Sequence, residues 1–560
     1  MRGHSLLVLT LTVFTMSPAV LGQSPEPPQT VQMKIDEIAD RMNKSENGLI
    51  VRMRMYHPIV EVYIQNLVPD EQLGWTPSRD EYFLGQFDLG ESSPRLRPLT
   101  QMRKTAGVLA RLPGTSKGVQ YLPDGFAAMA APDWRLLDRR RYEFKFVRRE
   151  FLGEARCFVF DVKPIKDSKD GFSGRIWIED RDYNIVRFNG INRGTDQTLS
   201  TFFRRPLSFH VDGWRTNVLP GVWLPASVYC EETDLSDVRP SGRQFQFKSQ
   251  VRIWGYEAQS VDRSQQLTTI QIEAPTAVDT TEGPRQLSPV LSQRRWEQEA
   301  EANVIERLEG VGLLAPPGEV DAVLDTVLNN LVVTNAIDLE RPLKCRVLLT
   351  SPLESFTVGR TIVVSRGLID VLPDEASLAT MLAHELGHVV LGHPLIDTKF
   401  AFADRLMIDD GDLLQTLQFH HAPREEMAAD EKVIQLLEKS PYKDKLADTG
   451  LFLRVLAQQS KRLPRLIQPH IGDHLYDGQL QRVAELIDRA PALAPERLDQ
   501  IPALPLGTRV MVDPWSGRLT LDRSPGVRIA SIREKVPLAV TPLMPYVKYA
   551  EQATALVSPR

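Results

Sequence analysis

Cysteine is almost missing from this chain. There are three in 560 residues, Cys157, Cys230 and Cys345, and no two are spaced as a metal-binding pair. That excludes a disulfide-dense scaffold and a thiolate zinc module. Cys157 and Cys230 fall in the same half of the chain, where one disulfide between them is open; Cys345 lies apart and reads as a buried thiol. Histidine is also scarce, at 10 residues. No charge of one sign dominates: 67 Lys and Arg stand against 72 Asp and Glu, a net −5. With both signs interspersed there is no basic footprint for nucleic acid. After the first 22 residues no apolar run is long enough to span a bilayer. Internal repeats and low-complexity tracts are absent too. At 42% hydrophobic residues, a chain of this length implies several globular domains.

What is there divides by pattern. Residues 1–22 read as a signal peptide, with Arg2 as the basic start, Leu6 to Phe14 as the apolar stretch and Val20-Leu21-Gly22 as the cleavage site. The expectation is an exported chain, periplasmic or extracellular and soluble after cleavage; an uncleaved N-terminal anchor is the alternative. Residues 23–47 are a polar leader into a short helix. Residues 48–274 alternate as strands do, at Leu49–Tyr56, Val60–Leu67, Tyr142–Phe146, Cys157–Lys163, Gly174–Ile178, Ile185–Asn189, Trp223–Cys230 and Gln244–Ile253. Turn signals such as Lys169-Asp170-Gly171 separate them, so an antiparallel sheet or open barrel is expected. Residues 275–296 carry Pro275, Pro284 and Pro289 and read as a linker. A mainly helical domain with a small sheet is expected over 297–490, and a small C-terminal β element over 491–560. The fold class is α+β and multidomain.

The densest chemistry lies at residues 384–388, His-Glu-Leu-Gly-His. Pro373-Asp374-Glu375 offers a helix start with Asp374 as N-cap, and Ala376, Leu378, Ala379, Leu382 and Leu386 give the helix an apolar face. On a helix, His384 and His388 sit one turn apart on one side, where both can hold a single zinc ion, and Glu385 can reach a zinc-bound water. Glu426 and Asp430 form a later i,i+4 pair on one helix face. Glu426 is the candidate third ligand and Asp430 a support for a ligand histidine. Three protein ligands and a water describe a catalytic zinc site, with one ion per chain. Glu425 then points elsewhere. His393 follows His388 by five residues, which does not fit a metzincin, and reads as a capping or supporting residue. His420 and His421 read as loop histidines, with pocket lining the alternative. The strand Thr361–Ser365 is either an edge that could receive an extended peptide or an internal strand that packs.

Residues 361–393, TIVVSRGLIDVLPDEASLATMLAHELGHVVLGH, with REEMAAD at 424–430, resemble the zinc peptidases related to the heat-shock protease HtpX, the periplasmic proteases BepA and LoiP, and the CAAX prenyl protease. The resemblance runs from about residue 300 to 485. It implies that His384, His388 and Glu426 bind zinc, that Asp430 supports a ligand histidine and that Glu385 is the general base. Relatives often carry a segment like NAFALPGG before the zinc helix; here that stretch is Leu353 to Arg360, with a different loop. Relatives also carry a late histidine ahead of an arginine, for which His474 with Arg482 is the match and His470 the competitor. His474, His470 or Arg482 is the candidate stabiliser of an oxyanion. A shorter similarity, GRIWIEDRDYNIVRFNG at 174–190, is to strand pairs of the lipoprotein-carrier fold.

These readings together predict an exported zinc metalloendopeptidase acting on polypeptides, misfolded envelope proteins among them, with peripheral membrane or lipid contact through the β domain as an option. The competing expectation is a non-catalytic or latent zinc-fold protein, a chaperone or lipid carrier; latency would come from residues 401–422 as a lid.

Overall fold

The computed structural model describes residues 28–53, 55–70, 74–88, 95–99, 129, 137–165, 171–194, 207–232, 246–256, 289–339, 341–393, 413–415, 417, 419–468, 470–476, 481–493, 497–503, 505, 510–512 and 519–521. The leader at 1–22 and most of the 401–422 segment lie outside them.

Ten strands form one antiparallel sheet. In chain order they are β1 Ile59–Asp70, β2 Gly74–Asp88, β3 Arg95–Pro98, β4 Tyr142–Leu152, β5 Ala155–Pro164, β6 Gly171–Glu179, β7 Ile185–Gly194, β8 Leu207–Leu219, β9 Val222–Glu232 and β10 Gln246–Trp254. The spatial order β3-β2-β1-β10-β9-β8-β7-β6-β5-β4 is a meander from β4 to β10 whose last strand then takes β1 as its neighbour. The two ends, β3 and β4, do not meet, so the sheet is an open barrel.

The period-2 pattern sorts β1 between two cores. Val60, Val62 and Ile64 face an inner core with Phe160, Phe188, Val228 and Phe247. Ile59 and Tyr63 face the opposite way and join the core of the helical region. Helix α1 (Pro28–Asn47) closes the inner face with Ala39 and Met42. It is tied down by Glu46, whose carboxylate takes two hydrogen bonds from Arg215 of β8, both 2.8 Å, and one from the Ile185 backbone N–H at 3.0 Å. Both side chains of this pair are fully buried.

Two sequence readings are revised here, and the open question of a Cys157–Cys230 disulfide is answered. Leu49–Tyr56 begins as helix α2 (Leu49–Met53), not as a strand, because Leu49 and Met53 are buried together four residues apart, a helical rather than alternating spacing. Helix α3 (Pro289–Val311) starts inside the stretch read as linker; proline is tolerated in a first helical turn. All three cysteines are free thiols. Cys230 belongs to the inner core and Cys157 to the tryptophan cluster on the other face, with Trp177, Trp214 and Trp223, so the sheet itself stands between them.

The helical region follows with α4 (Glu319–Thr334), β11 (Lys344–Leu348), β12 (Glu354–Val358), β13 (Thr361–Ser365), α5 (Arg366–Val371), α6 (Glu375–Leu391), α7 (Pro423–Glu438), α8 (Leu446–Gln459), α9 (Pro464–Ile467), β14 (Asp473–His474) and α10 (Ala484–Arg489). Its sheet runs β11-β13-β12-β14. β13 is parallel to β11 on one side and antiparallel to β12 on the other, so Thr361–Ser365 is internal and cannot accept a further strand. The C-terminal strands β15 (Val510–Val512) and β16 (Leu519–Leu521) pair with each other, and Val510 and Leu519 join the same core.

The large sheet docks on this region through buried polar groups. Glu61 of β1 accepts from the Ser351 N–H at 2.6 Å, the Ser351 hydroxyl at 2.8 Å, Tyr82 at 3.0 Å and Arg252 at 3.4 Å. Arg366 donates to the same Ser351 hydroxyl at 2.8 Å. A Cβ on Gly367 would lie 1.8 Å from the Ser351 carbonyl oxygen, so only glycine lets α5 start there. Asp80 of β2 accepts from the N–H groups of Arg465 and Leu466, at 3.0 and 2.8 Å, and from the Tyr63 hydroxyl at 3.2 Å.

Two stability outcomes follow. Glu46→Ala strands the Arg215 guanidinium in the interior and should lower unfolding free energy by about 3–5 kcal/mol, whereas Glu46→Met with Arg215→Met should recover most of it; urea titration reads both. Burial pushes the Asp80 carboxyl up to about 7 from 3.8, against the lowering pull of its three donors. A group raised on folding stabilises fully below its unfolded value and loses that contribution as pH rises through the folded one. The urea midpoint should therefore fall as pH rises from about 4 to about 7 and level off above that, and Asp80→Asn should remove that part of the slope.

Candidate metal centre

Helix α6 is buried on every side from Ala376 to His388. Asp374 caps it as the sequence predicts, accepting from the Ser377 N–H at 2.8 Å. Leu378, Met381, Leu382 and Leu386 pack it into the core. The three ionisable residues of this stretch, at 384, 385 and 388, are thereby carried into the interior, at 0, 0 and 1% exposure. A buried ionisable group needs partners. The surrounding elements supply them.

Helix α7 supplies the first set. It approaches closely because position 387 is glycine: a Cβ there would stand 3.1 Å from the Ala429 carbonyl oxygen. Asp430 Oδ1 meets His384 Nδ1 at 2.8 Å. Glu426 Oε2 lies 3.3 Å from His384 Nε2, and its Oε1 3.5 Å from His388 Nε2. The two Nε2 atoms are 3.0 Å apart. Burial and Arg482 both oppose a charge on His384, yet the hydrogen bonds it donates to Asp430 and Glu426 win and raise it to about 9. Glu425, the neighbour of Glu426, turns back to accept from the Ala422 N–H at 2.9 Å, helping to start α7.

Strand β12 and Arg482 supply the second set. Ser355 donates to Glu385 Oε1 at 2.6 Å and Thr357 to Oε2 at 2.9 Å. Their i,i+2 spacing puts both hydroxyls on one face of the strand. Arg482, fully buried, donates to Ser355 Oγ at 2.8 Å and to Glu385 Oε1 at 3.2 Å. Val483 follows at φ 52, a conformation a β-branched residue rarely adopts. Its N–H donates to Asp430 Oδ2 at 2.7 Å, so one carboxylate holds both this strained turn and His384.

The histidines outside the motif divide. His421 stacks on the His388 ring at 3.7 Å between centroids, with Nδ1 3.8 Å from Glu426 Oε1, which is the pocket-lining option rather than the loop one. His393 Nδ1 lies 3.1 Å from His388 Nδ1, and burial holds its imidazole below the ordinary value. His470 is turned to the sheet: its ring rests on Tyr82 at 4.5 Å and its Nε2 is 3.0 Å from the Arg465 carbonyl oxygen. His474 is placed by its backbone on β14, opposite Glu354. The Glu354 carboxylate accepts from the N–H groups of His470, Ile471 and Gly472, at 3.0, 2.9 and 3.1 Å, which pins this segment beside β12. Sequence reading did not single out Ser355 and Thr357. The alternation of two hydroxyl residues about Phe356 was the available signal.

Do these groups fit a metal? His384, His388 and Glu426 each offer an atom within 4.8 Å of the others. Donors about 2.0–2.1 Å from a tetrahedral zinc ion stand roughly 3.3 Å apart, close to the separations seen here. Glu426 Oε1 is buried with no hydrogen-bond partner, an acceptor that a cation would satisfy. The donor set fits zinc.

Two imidazoles from one helix and a carboxylate from a second are the donor set of a mononuclear catalytic metal centre. Residues 321–441 match the family model described as Peptidase family M48, which is what this part of the chain is similar to. No curated protein matches the chain. Among solved structures, a LolA superfamily protein from Nitrosomonas europaea is 11% identical, with 40% of this chain and 91% of that one covered and a TM-score of 0.19. A putative outer membrane lipoprotein-sorting protein domain from Vibrio parahaemolyticus is 8% identical, covering 39% and 92%, with a TM-score of 0.18. At these scores neither neighbour bears on function.

Removing a partner that orients a ligand typically weakens metal binding 10–100-fold. Asp430→Ala should therefore lower zinc affinity by about that factor, measured by competition with a chromophoric chelator, while leaving one zinc per chain at saturation.

Proposed function

We propose that the protein is an exported zinc endopeptidase in which His384, His388 and Glu426 hold the ion and Glu385 is the general base. The observation that carries this reading is the convergence of the three donors beside a buried carboxylate on the same helix. Zinc, when bound, supplies the Lewis acidity that activates water and polarises a scissile carbonyl. Glu385 takes the proton of the attacking water and passes it to the leaving amine. Asp430 fixes the tautomer of His384. Arg482, already within 3.2 Å of Glu385, is the cation available to a developing oxyanion, with His474 on the neighbouring strand as its companion.

β12 is the strand for an extended polypeptide. Among the described residues β14 pairs with it only at Glu354 and Ser355, and Phe356 to Val358 have no partner strand on that side. Main-chain pairing there would be tolerant of sequence and would lay the peptide beside Glu385. That suits unfolded envelope proteins as substrates. In this organisation residues 48–274 are the recruiting β domain, 297–490 the peptidase domain extended back to Pro289 by α3, and 491–560 a C-terminal extension. Lipid contact through the inner face of the sheet would require α1 and α2 to leave, since Ala39 and Met42 of the first and Leu49 and Met53 of the second fill it.

One observation favours a second reading, a latent form of the same enzyme. Both oxygens of Glu385 are occupied by Ser355, Thr357 and Arg482, and neither ligand histidine reaches solvent. Zinc content and casein degradation, compared between the parent and Glu385→Gln, separate the readings. Zinc in both with activity in the parent alone is the expected outcome, with a loss of at least about 100-fold in Glu385→Gln. Zinc in both with activity in neither favours latency, and well-folded parent without zinc sinks the assignment.

A further inference from the structure

The two ligand histidines of α6 are supported differently. His384 has a carboxylate on its Nδ1, from Asp430 on another helix. His388 has an imidazole on its Nδ1, from a residue five positions along the same chain. The reason lies in how α6 ends. Gly392 sits at φ 70, ψ 35, and its N–H bonds the Val389 carbonyl at 3.2 Å. The next residue turns back, so that the His393 N–H bonds the His388 carbonyl at 3.0 Å. These are the two hydrogen bonds of a Schellman motif, in which the second residue past the helix end folds over the fourth residue back from it. An apolar pair usually occupies those two positions. Here both are histidines, with rings 5.1 Å apart at 68°.

We propose that His393 is a positioning residue for the metal site. This rests on the zinc reading above. A neutral imidazole that gives Nε2 to a metal carries its proton on Nδ1 and is oriented by whatever accepts that proton. The Nδ1 of His393, 3.1 Å away, is that acceptor for His388. His421, stacked on the ring face, restricts rotation of the same imidazole. The helix terminus thus does for His388 what Asp430 does for His384, and Gly392 is the backbone element that makes it reach. The pattern is readable as His-x-x-x-Gly-His, with the ligand first and its acceptor last.

The test separates hydrogen bonding from bulk. His393→Phe keeps a ring and removes the acceptor; His393→Asn puts an amide oxygen where Nδ1 stands. Zinc affinity, by competition with a chromophoric chelator, should fall about 10–100-fold in His393→Phe and stay within about threefold of the parent in His393→Asn. The urea midpoint of the metal-free protein should not change in either, which a purely structural cap would not allow. Gly392→Ala, strained at a positive φ, should reproduce the affinity loss of His393→Phe in part. Parental affinity in His393→Phe, or an equal loss in His393→Asn, overturns the proposal and leaves the zinc site standing. A parent that binds no zinc overturns the site itself, and the proposal with it.

Discussion

The burial of helix α6 is the constraint on which the rest of the structure depends. An apolar helix sunk in the core brings two imidazoles and a carboxylate with it. In that setting an unpartnered polar group is destabilising by several kcal/mol, and a partnered one is held in a fixed geometry. The neighbouring elements are arranged accordingly. α7 offers carboxylates to the histidines, β12 offers hydroxyls to Glu385, and Arg482 sets a cation among the acids. Desolvation thereby produces the preorganisation that a metal site needs, and it also produces the enclosure of Glu385.

Small residues set the approach distances within this arrangement. Gly387 lets α7 lie against α6, and Gly367 lets α5 start beneath the Ser351 carbonyl. The strain at Val483 is confined to a turn that Asp430 also holds, so the backbone and His384 share one anchor. Strained residues of this kind persist only where the surroundings over-determine them.

Helix α6 and its cap were legible because they rest on local rules: Asp374 before an apolar 3.6-residue period, and two histidines one turn apart. The open antiparallel sheet was legible from alternation in β1, β5, β7, β9 and β10. Strands β2 and β8 were not, because Asp80, Arg79 and Glu81 in one and His210, Asp212 and Arg215 in the other break the apolar pattern. Several of those charges are buried against partners far along the chain. Leu49–Met53 misled for another reason, since five residues, Leu-Ile-Val-Arg-Met, are too short to carry a period of their own. The internal place of Thr361–Ser365 depends on which strands flank it, a matter of topology. The inward turn of His421 depends on a ring contact across a loop.

The Glu61 network bears on how far the chain can be divided. Its members come from β1, β2 and β10 on one side, and from Ser351 and Arg366 on the other. Arg252 also reaches across to the Leu349 carbonyl oxygen at 2.7 Å. Neither half could be cut away without exposing a buried arginine or an acid made for the other. The sheet and the helical region therefore share one buried polar interface. A change at Glu61 would leave Arg252 and Ser351 without their shared acceptor at once, so a substitution in one half is felt in the other.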